Sequence, residues 1–334
     1  MPVLHLSSGD LIADRRASYA AMLAQEGDHA AAADLMEQAL DLAPDWPVGW
    51  CLLGDYRAEA GDRPGAVAAY RELVRLDQAG IFGGVLKLAA LGAAPPPQGT
   101  DVAYVESLFD DYAERFEAEL VLGLDYEAPA RLAALIAAVL GERVPYALDL
   151  GCGTGLMGER LRGHALHMEG VDLSASMVEM AARKGIYDRL HKAELTAFLS
   201  DQAGTPDLVA AADVLNYCGA LPPVLTAVAA RLAPGGLFAF TLERHDGVEP
   251  MRLRPSLRYA HSEAATRAAA VAAGFEIVAL ETAALRQDRG RPVAGLLVLL
   301  RKLPLVPRLV LAASQSHAGD AAVPVWDEDE PTAA

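Results

Sequence analysis

The sequence is short of cysteine, of cations and of long apolar runs. Its three cysteines, Cys51, Cys152 and Cys218, stand far apart, with no CxxC pair and no histidine at ligand spacing. That excludes a disulfide framework and a zinc site, so no metal is expected. Basic side chains, nearly all arginine, number 28 against 45 acidic ones, a net charge of −17 over 334 residues. Neutralising phosphates needs a concentrated cationic face, so the balance speaks against nucleic acid as the main partner. The excess is uneven, however. Residues 1–98 carry 7 basic and 13 acidic side chains, residues 99–308 carry 21 and 27, and the last five acids follow with no cation. No apolar run reaches the ~18 residues of a membrane span. The opening MPVLHLSSGDLIADRR also lacks a cationic segment ahead of an apolar one. The expectation is a cytoplasmic protein with no membrane association.

At ~100–200 residues per domain the length allows two domains. An internal repeat occupies the first part. At an offset of 34, Ala32 falls over Ala66, Met36 over Tyr70 and Ala39 over Leu73. The second unit carries Trp50, Leu53, Gly54, Ala66 and Tyr70, the tetratricopeptide spacing W-x2-L-G followed by A-x3-F/Y, and the first supplies Ala39 and a closing Pro44. Gly27-Asp28 and Gly61-Asp62 mark the turns inside two antiparallel helix pairs, and 82–93 predicts a covering helix. Residues 1–94 are thus read as an all-α repeat domain. Pro95–Pro97 cannot continue a helix, so 95–101 is read as an extended linker.

Beyond it, short apolar runs alternate with helical stretches, the signature of an α/β sheet over 102–303. Helices are expected near 102–119 and 127–141. Strands are expected at 146–150, 167–172, 189–192, 207–212 and 236–243, with helices between them, then a helix at 262–273 and strands at 275–283 and 294–301. The connector 284–292 holds Gly290 and Pro292 and no helical period, so the last two strands should form an antiparallel hairpin. The acidic, proline-bearing stretch 304–334 is expected to be a disordered tail.

The strongest local motif is LDLGCGTG, Leu148–Gly155. An apolar strand runs into Gly151, Gly153 and Gly155 and then into a helix, so a ligand can lie against bare backbone at a helix start. The dinucleotide fingerprint G-x-G-x-x-G is not met, because Leu156 stands where it needs glycine. The next strand ends in Asp172, whose carboxylate could accept hydrogen bonds from both hydroxyls of an adenosine ribose.

LDLGCGTG, VDLSASMVEMA, DLVAAADVLNYCGAL and LAPGGLFAFTLE, in this order over 145–301, resemble the motif series of class I S-adenosylmethionine-dependent methyltransferases. FDDYAERFEAEL (109–120) and RYAHS (258–262), together with the repeats, resemble a bacterial group of tetratricopeptide-repeat methyltransferases. The resemblance implies a Rossmann-like sheet with an antiparallel last strand, S-adenosyl-L-methionine as cofactor, and methyl transfer to a small-molecule or protein acceptor. It places Asp149, Gly151, Cys152, Gly153, Thr154 and Gly155 at the methionine part and Asp172 at the ribose. Leu173 and Met177 would flank the adenine, with Glu194 and Leu195 at its edge. Asp213 and Val214 would close the methionine side, and Tyr112 and Phe116 would form a lid.

Each acid also has a structural alternative: Asp149 capping the glycine turn, Asp172 capping the next helix, Glu194 a solvated charge. Methyl transfer asks for in-line alignment, exclusion of water and, for some acceptors, a base. Candidates after the fifth strand are His245, His261 and Tyr259. Arg244, Arg252, Arg254 and Arg258 cluster there, and Arg286 lies in the final hairpin. Arg244, Arg258 and Arg286 would suit a carboxylate or phosphate acceptor, unless they pair with acids of the same domain. Asp213-Val-Leu-Asn216-Tyr217 departs from the Asn/Asp-Pro-Pro-Tyr of many amino-methyltransferases, which argues mildly against a planar amine. The repeats suggest a protein partner. A second hypothesis is a repeat adaptor that binds the cofactor without turnover, against which the intact glycine loop and Asp172 argue. A nicotinamide dehydrogenase is disfavoured by Leu156 and the terminal hairpin.

Overall fold

A computed structural model describes residues 7–117, 126–201, 204–288 and 290–304. The chain begins with two helix hairpins, α1 (Leu11–Gln25) with α2 (His29–Leu40) and α3 (Pro47–Glu59) with α4 (Arg63–Leu76), followed by α5 (Gly84–Ala90). The inner turns repeat one device. Gly27 (φ +87°) and Gly61 (φ +83°) take the left-handed conformation that glycine tolerates. Asp28 and Asp62 then cap α2 and α4 by accepting backbone N–H groups three residues on. Small residues set the helix spacing. A Cβ on Gly54 would sit 2.2 Å from Cε1 of Tyr70, whose hydroxyl is held by Asp55 at 2.7 Å. Asp55 also pairs with the Lys87 ammonium at 2.6 Å, tying α5 to α3.

The segment read as an extended linker is docked on the α/β part. Gln98 O accepts the backbone N–H of Ala220, and Pro97 O accepts the Tyr259 hydroxyl at 2.8 Å. Leu86 of α5 packs with Leu257 and Tyr259, so residues 7–304 form one compact unit. α5 already stops at Ala90, with Gly92 at φ +68° closing its end, and the extended backbone that the prolines impose offers its carbonyls to donors of the α/β part.

The remainder is a nine-stranded mixed sheet. β1 (Val144–Leu150), β2 (Ala165–Asp172), β3 (Arg189–Lys192), β4 (Leu208–Ala211) and β5 (Leu237–Arg244) are parallel in the order β3-β2-β1-β4-β5. Helices cover both faces, and strand residues alternate between them. Leu148, Val209, Phe238, Phe240 and Val298 face α10 (Leu195–Asp201), α11 (Leu221–Arg231) and α12 (Glu263–Ala272). Ala147, Leu208, Ala239 and Leu297 face α7 (Ala128–Val139) and α8 (Leu156–Leu161). α9 (Ala175–Lys184) follows β2, and α6 (Val102–Glu117) lies across the site; positions 118–119 of its expected span fall outside the described residues.

β8 (Phe275–Asp288) and β9 (Arg291–Lys302) form the expected antiparallel hairpin, with β9 antiparallel to β5. The expected loop at 284–292 is nearly all strand. Pairing continues to Asp288 opposite Arg291, and Gly290 at φ +73° lies between them. Two elements were not foreseen, β6 (Met251–Leu253) and β7 (Tyr259–His261), a short hairpin where a loop was expected. β4 pairs with β5 only up to Phe240, so the rest of that edge is open and β7 adds there in parallel at Glu243 and Arg244. The tail expected over 304–334 lies outside the described residues, apart from Pro304. Among the described residues no helix is long and apolar enough to cross a membrane.

Candidate functional site

A cavity of about 330 Å³ opens at the carboxyl edge of the sheet, between the strand ends and α6. The glycine loop supplies its floor. Gly151, Gly153 and Gly155 all have positive φ (+63°, +52° and +97°). A Cβ on Gly151 would come within 2.5 Å of Val214, whereas one on Gly153 would project toward the cavity with only Phe116 within 4 Å. Gly151 and Gly153 therefore present bare backbone to whatever fills the space.

The other expected members of the loop do not reach the wall. Asp149 is fully buried on the α7/α8 face, the face it shares with Ala147 by strand alternation, and its Oδ2 accepts the Tyr187 hydroxyl at 2.7 Å. Burial, with the nearby Asp172 charge adding to it, pushes its carboxyl up to about 7. Cys152 packs beneath the loop, its N–H donating to Val171 O, and its thiol is pushed far up by burial. Thr154 is buried, and Gly155 is the N-cap of α8. These four support the loop rather than line the cavity.

Asp172 behaves differently. Ser174, not Asp172, caps α9, accepting the N–H of Met177 at 3.1 Å. The Asp172 carboxylate instead takes the Gly153 N–H at 2.8 Å and the Ser174 N–H at 2.9 Å, joining the β2 end to the glycine loop. It remains on the cavity wall, where loss of bulk water pushes its pKa up. The Leu173 N–H also lies against it, and since a carboxylate accepts about four hydrogen bonds, acceptor capacity remains toward the cavity. Leu173, Met177, Ala193 and Leu195 line the same end with apolar surface. Glu194 is also on this wall, but its Oε2 accepts the Ala197 N–H at 2.8 Å and the Thr196 hydroxyl at 2.5 Å, which makes it the cap of α10.

α6 forms the roof. Val105, Leu108, Phe109, Tyr112 and Phe116 recur at helical spacing and face the cavity, with Phe116 edge-to-face on both Phe109 and Tyr112. Polar contacts along its other sides hold it down. Asp110 accepts the Ser174 hydroxyl at 2.6 Å and the Ser176 N–H at 3.1 Å, while Glu106 and Glu117 pair with Lys192 and Lys184, both at 2.6 Å.

The far end lies at β4. Asp213 has φ +64°, unusual for a side chain with a Cβ, and is fixed there by three bonds. Its N–H donates to Thr241 Oγ1 at 2.8 Å, and its Oδ1 accepts Asn216 Nδ2 at 2.6 Å and Arg258 Nη2 at 2.5 Å. Burial works to raise its pKa, but Arg258 and Arg286 outweigh that and hold the carboxyl below its ordinary value. Both arginines also bind Glu243, at 2.8 and 2.6 Å. Arg286 reaches this point because of an irregularity in β8 between Ala284 and Arg286, which buries Leu285 and Arg286 in succession. Val214, Tyr126, Tyr217 and Cys218 complete this end.

The proposed bases are elsewhere. Tyr259 is buried and donates to Pro97 O, and burial pushes its phenol up to about 12. The His261 Nε2 lies 2.7 Å from Gly219 O, and the His245 Nδ1 accepts the Gly247 N–H; burial lowers the pKa of both imidazoles. None of the three lines the cavity. Arg244 turns to Asp246 at 2.7 Å and Arg252 to Glu249 at 3.0 Å. Formation of β6 and β7 pairs this segment into a hairpin that buries Tyr259 and His261 away from the cavity, and of its arginines Arg258 lines the wall.

Sequence reasoning missed Phe109, Tyr126 and Tyr217. Phe109 could have been found from its spacing with Tyr112 and Phe116, but nothing local marks Tyr126.

Residues 124–280 match a family model described as a methyltransferase domain. A malonyl-[acyl-carrier protein] O-methyltransferase of Enterobacter lignolyticus (strain SCF1) is 30% identical over 119 residues, 36% of this chain and 47% of that protein. A ubiquinone biosynthesis O-methyltransferase of Burkholderia orbicola (strain MC0-3) is 30% identical over 104 residues, 30% of this chain and 45% of that protein. The chain thus spans about half the length of these curated relatives. Among solved structures, the [4+2]-cyclase SpnF superposes with a TM-score of 0.50 at 20% identity, covering 62% of this chain and 98% of that one, a likeness of fold.

Proposed function

We propose that this chain, whose α/β part has the class I methyltransferase fold, catalyses S-adenosylmethionine-dependent methyl transfer to an oxygen acceptor. Asp172 carries this reading. It is a desolvated carboxylate on the cavity wall with acceptor capacity left, next to glycines that leave the backbone bare. That is the chemistry a ribose diol and the attached methionine part require. The site fits the rest of the cofactor as well. Leu173, Met177, Ala193 and Leu195 offer an apolar slot for a planar base, with Glu194 at its edge and Gly151, Gly153, Asp213 and Val214 toward the sulfur. Bound there, the cofactor supplies a methyl group already activated by a positive sulfur. What the chain adds is orientation and dryness, through the roof of Phe109, Tyr112 and Phe116. The O-methyltransferase names of the curated relatives support oxygen as the receiving atom.

The two helix hairpins are read as tetratricopeptide repeats in a domain ending near residue 94, a reading supported by Gly54 against Tyr70 and by the shared Gly-Asp turns. Their role is to recruit a protein partner or present the substrate. α1 supports this, since Leu11, Tyr19 and Met22 stay exposed on it (78%, 62% and 56%).

Calorimetric titration with S-adenosylhomocysteine tests the core of this reading. Saturable binding at one site per chain is expected, with no competition from NAD. No heat up to high micromolar ligand would overturn it.

A further inference from the structure

The cavity wall at the β4 end unites an uncommon set of side chains. Arg258 and Arg286 both line it, and both are shared between Asp213 and Glu243. A third guanidinium, Arg254, stands 3.4 Å from the other oxygen of Glu243. Three cations on two carboxylates leave one positive charge at this end. The Arg286 side chain is only 7% exposed. Its Nη1 makes no hydrogen bond and lies 3.6 Å from Asp213, so the neutralisation of that guanidinium is incomplete. Tyr126 and Tyr217 stand beside the pair, with the Arg258 guanidinium 5.0 Å over the Tyr217 ring. Burial pushes both phenols up, so each stays protonated and can donate a hydrogen bond. Positive charge, planar guanidiniums and phenolic donors together suit a carboxylate.

Among the described residues, the same wall leaves nothing free to take a proton once the cofactor is bound. Asp172 accepts from the glycine loop and, in the reading above, from the ribose, and Glu194 caps α10. Asp213 is locked by Asn216 and Arg258. The Cys218 thiol is pushed up to about 12 by burial, and neither His245 nor His261 reaches the cavity. A phenol or alcohol acceptor would arrive with a proton to lose. A carboxylic acid, with an ordinary pKa near 4, arrives without one.

We infer that the acceptor is a carboxylic acid, bound as its anion at Arg258 and Arg286, and that the product is its methyl ester. This rests on the methyl-transfer reading above and narrows it to one acceptor class. A carboxylate lone pair forms the new O–C bond, the C–S bonding pair remains on the departing sulfur, and one negative and one positive charge cancel. No proton moves, in agreement with a wall whose described residues leave no base free.

The test is calorimetry on the full chain saturated with S-adenosylhomocysteine, using benzoate and hexanoate against their neutral amides. The acids should bind at least about tenfold more tightly than the amides. Arg286→Gln should abolish that preference and leave the affinity for S-adenosylhomocysteine within about twofold. Since Arg286→Gln strips Glu243 of a partner, Arg286→Lys, which keeps a cation there, is measured beside it and should retain most of the preference. Acids that bind no better than amides, or not at all up to about 10 mM, would overturn the inference while leaving the cofactor site standing. An equal loss of S-adenosylhomocysteine affinity in the variants would also overturn it, since the arginines would then hold the cofactor's own carboxylate. Absence of S-adenosylhomocysteine binding in the native chain would instead remove the methyl-transfer reading itself.

Discussion

Replacing Asp172 by alanine probes the link between the glycine loop and the second strand. The native carboxylate accepts backbone N–H groups, those of Gly153 and Ser174 foremost, and keeps acceptor capacity for the ribose hydroxyls. A hydrogen bond to a charged group contributes about 1.5–3 kcal/mol, so losing both ribose contacts should cost about 3–6 kcal/mol. At 1.4 kcal/mol per factor of ten, the dissociation constant for S-adenosylhomocysteine should rise on the order of 10²–10⁴-fold. The fold should largely survive, because water entering the cavity can satisfy the released N–H groups. Calorimetry reports the first effect and thermal unfolding without ligand the second. Asp172→Asn, which keeps one acceptor oxygen, should fall between native and alanine. A dissociation constant within about threefold of native in Asp172→Ala, with the fold intact, would refute the ribose assignment.

Asp149 should make stability depend on pH in an unusual direction. Its folded-state carboxyl, pushed up to about 7 by burial, holds a proton that the unfolded chain releases near 4. The native state thus binds more protons between pH 4 and 7, and stability falls as pH rises through that window, by about 1.4 kcal/mol per pH unit from this group. Asp149→Asn should flatten the slope, as read by urea unfolding at pH 5 and pH 7; an unchanged slope would refute the buried-acid account. In the helical part, Gly54→Ala would put a methyl group 2.2 Å from a Tyr70 ring that its bond to Asp55 prevents from retreating. A loss of about 1–3 kcal/mol is expected, and an unaltered melting temperature would contradict the packing described. Asp110→Ala would release α6 from Ser174 and Ser176. Surface plasmon resonance should then show S-adenosylhomocysteine leaving about tenfold faster, whereas an unchanged rate would mean that α6 does not retain the ligand.

Much of the architecture was legible because its signals are local. The 34-residue offset, the Gly-Asp turns and the strand-glycine-helix run each lie within a few residues of the structure they specify. Asp172 was legible for the same reason, since a strand end beside a glycine loop leaves its carboxylate few other places. What escaped depends on pairing between distant segments. The free edge of β5 beyond Phe240 recruits residues 259–261, turning an expected loop into strands and drawing His261 and Tyr259 away from the site. The irregularity beside Leu285 aims Arg286 inward, and the carbonyls of Pro97 and Gln98 find donors more than a hundred residues away. Composition foresaw a cluster of arginines. Which of them would face the cavity was decided by Asp213, just past β4, and Glu243, near the end of β5.

The most direct test of the central claim is a crystal structure of the full chain with S-adenosylhomocysteine. The account requires the ribose hydroxyls on Asp172, the amino-acid part over Gly151 and Gly153, and the sulfur turned toward Asp213, Arg258 and Arg286. A ligand bound away from Asp172, or one whose carboxylate occupies the two arginines, would contradict it.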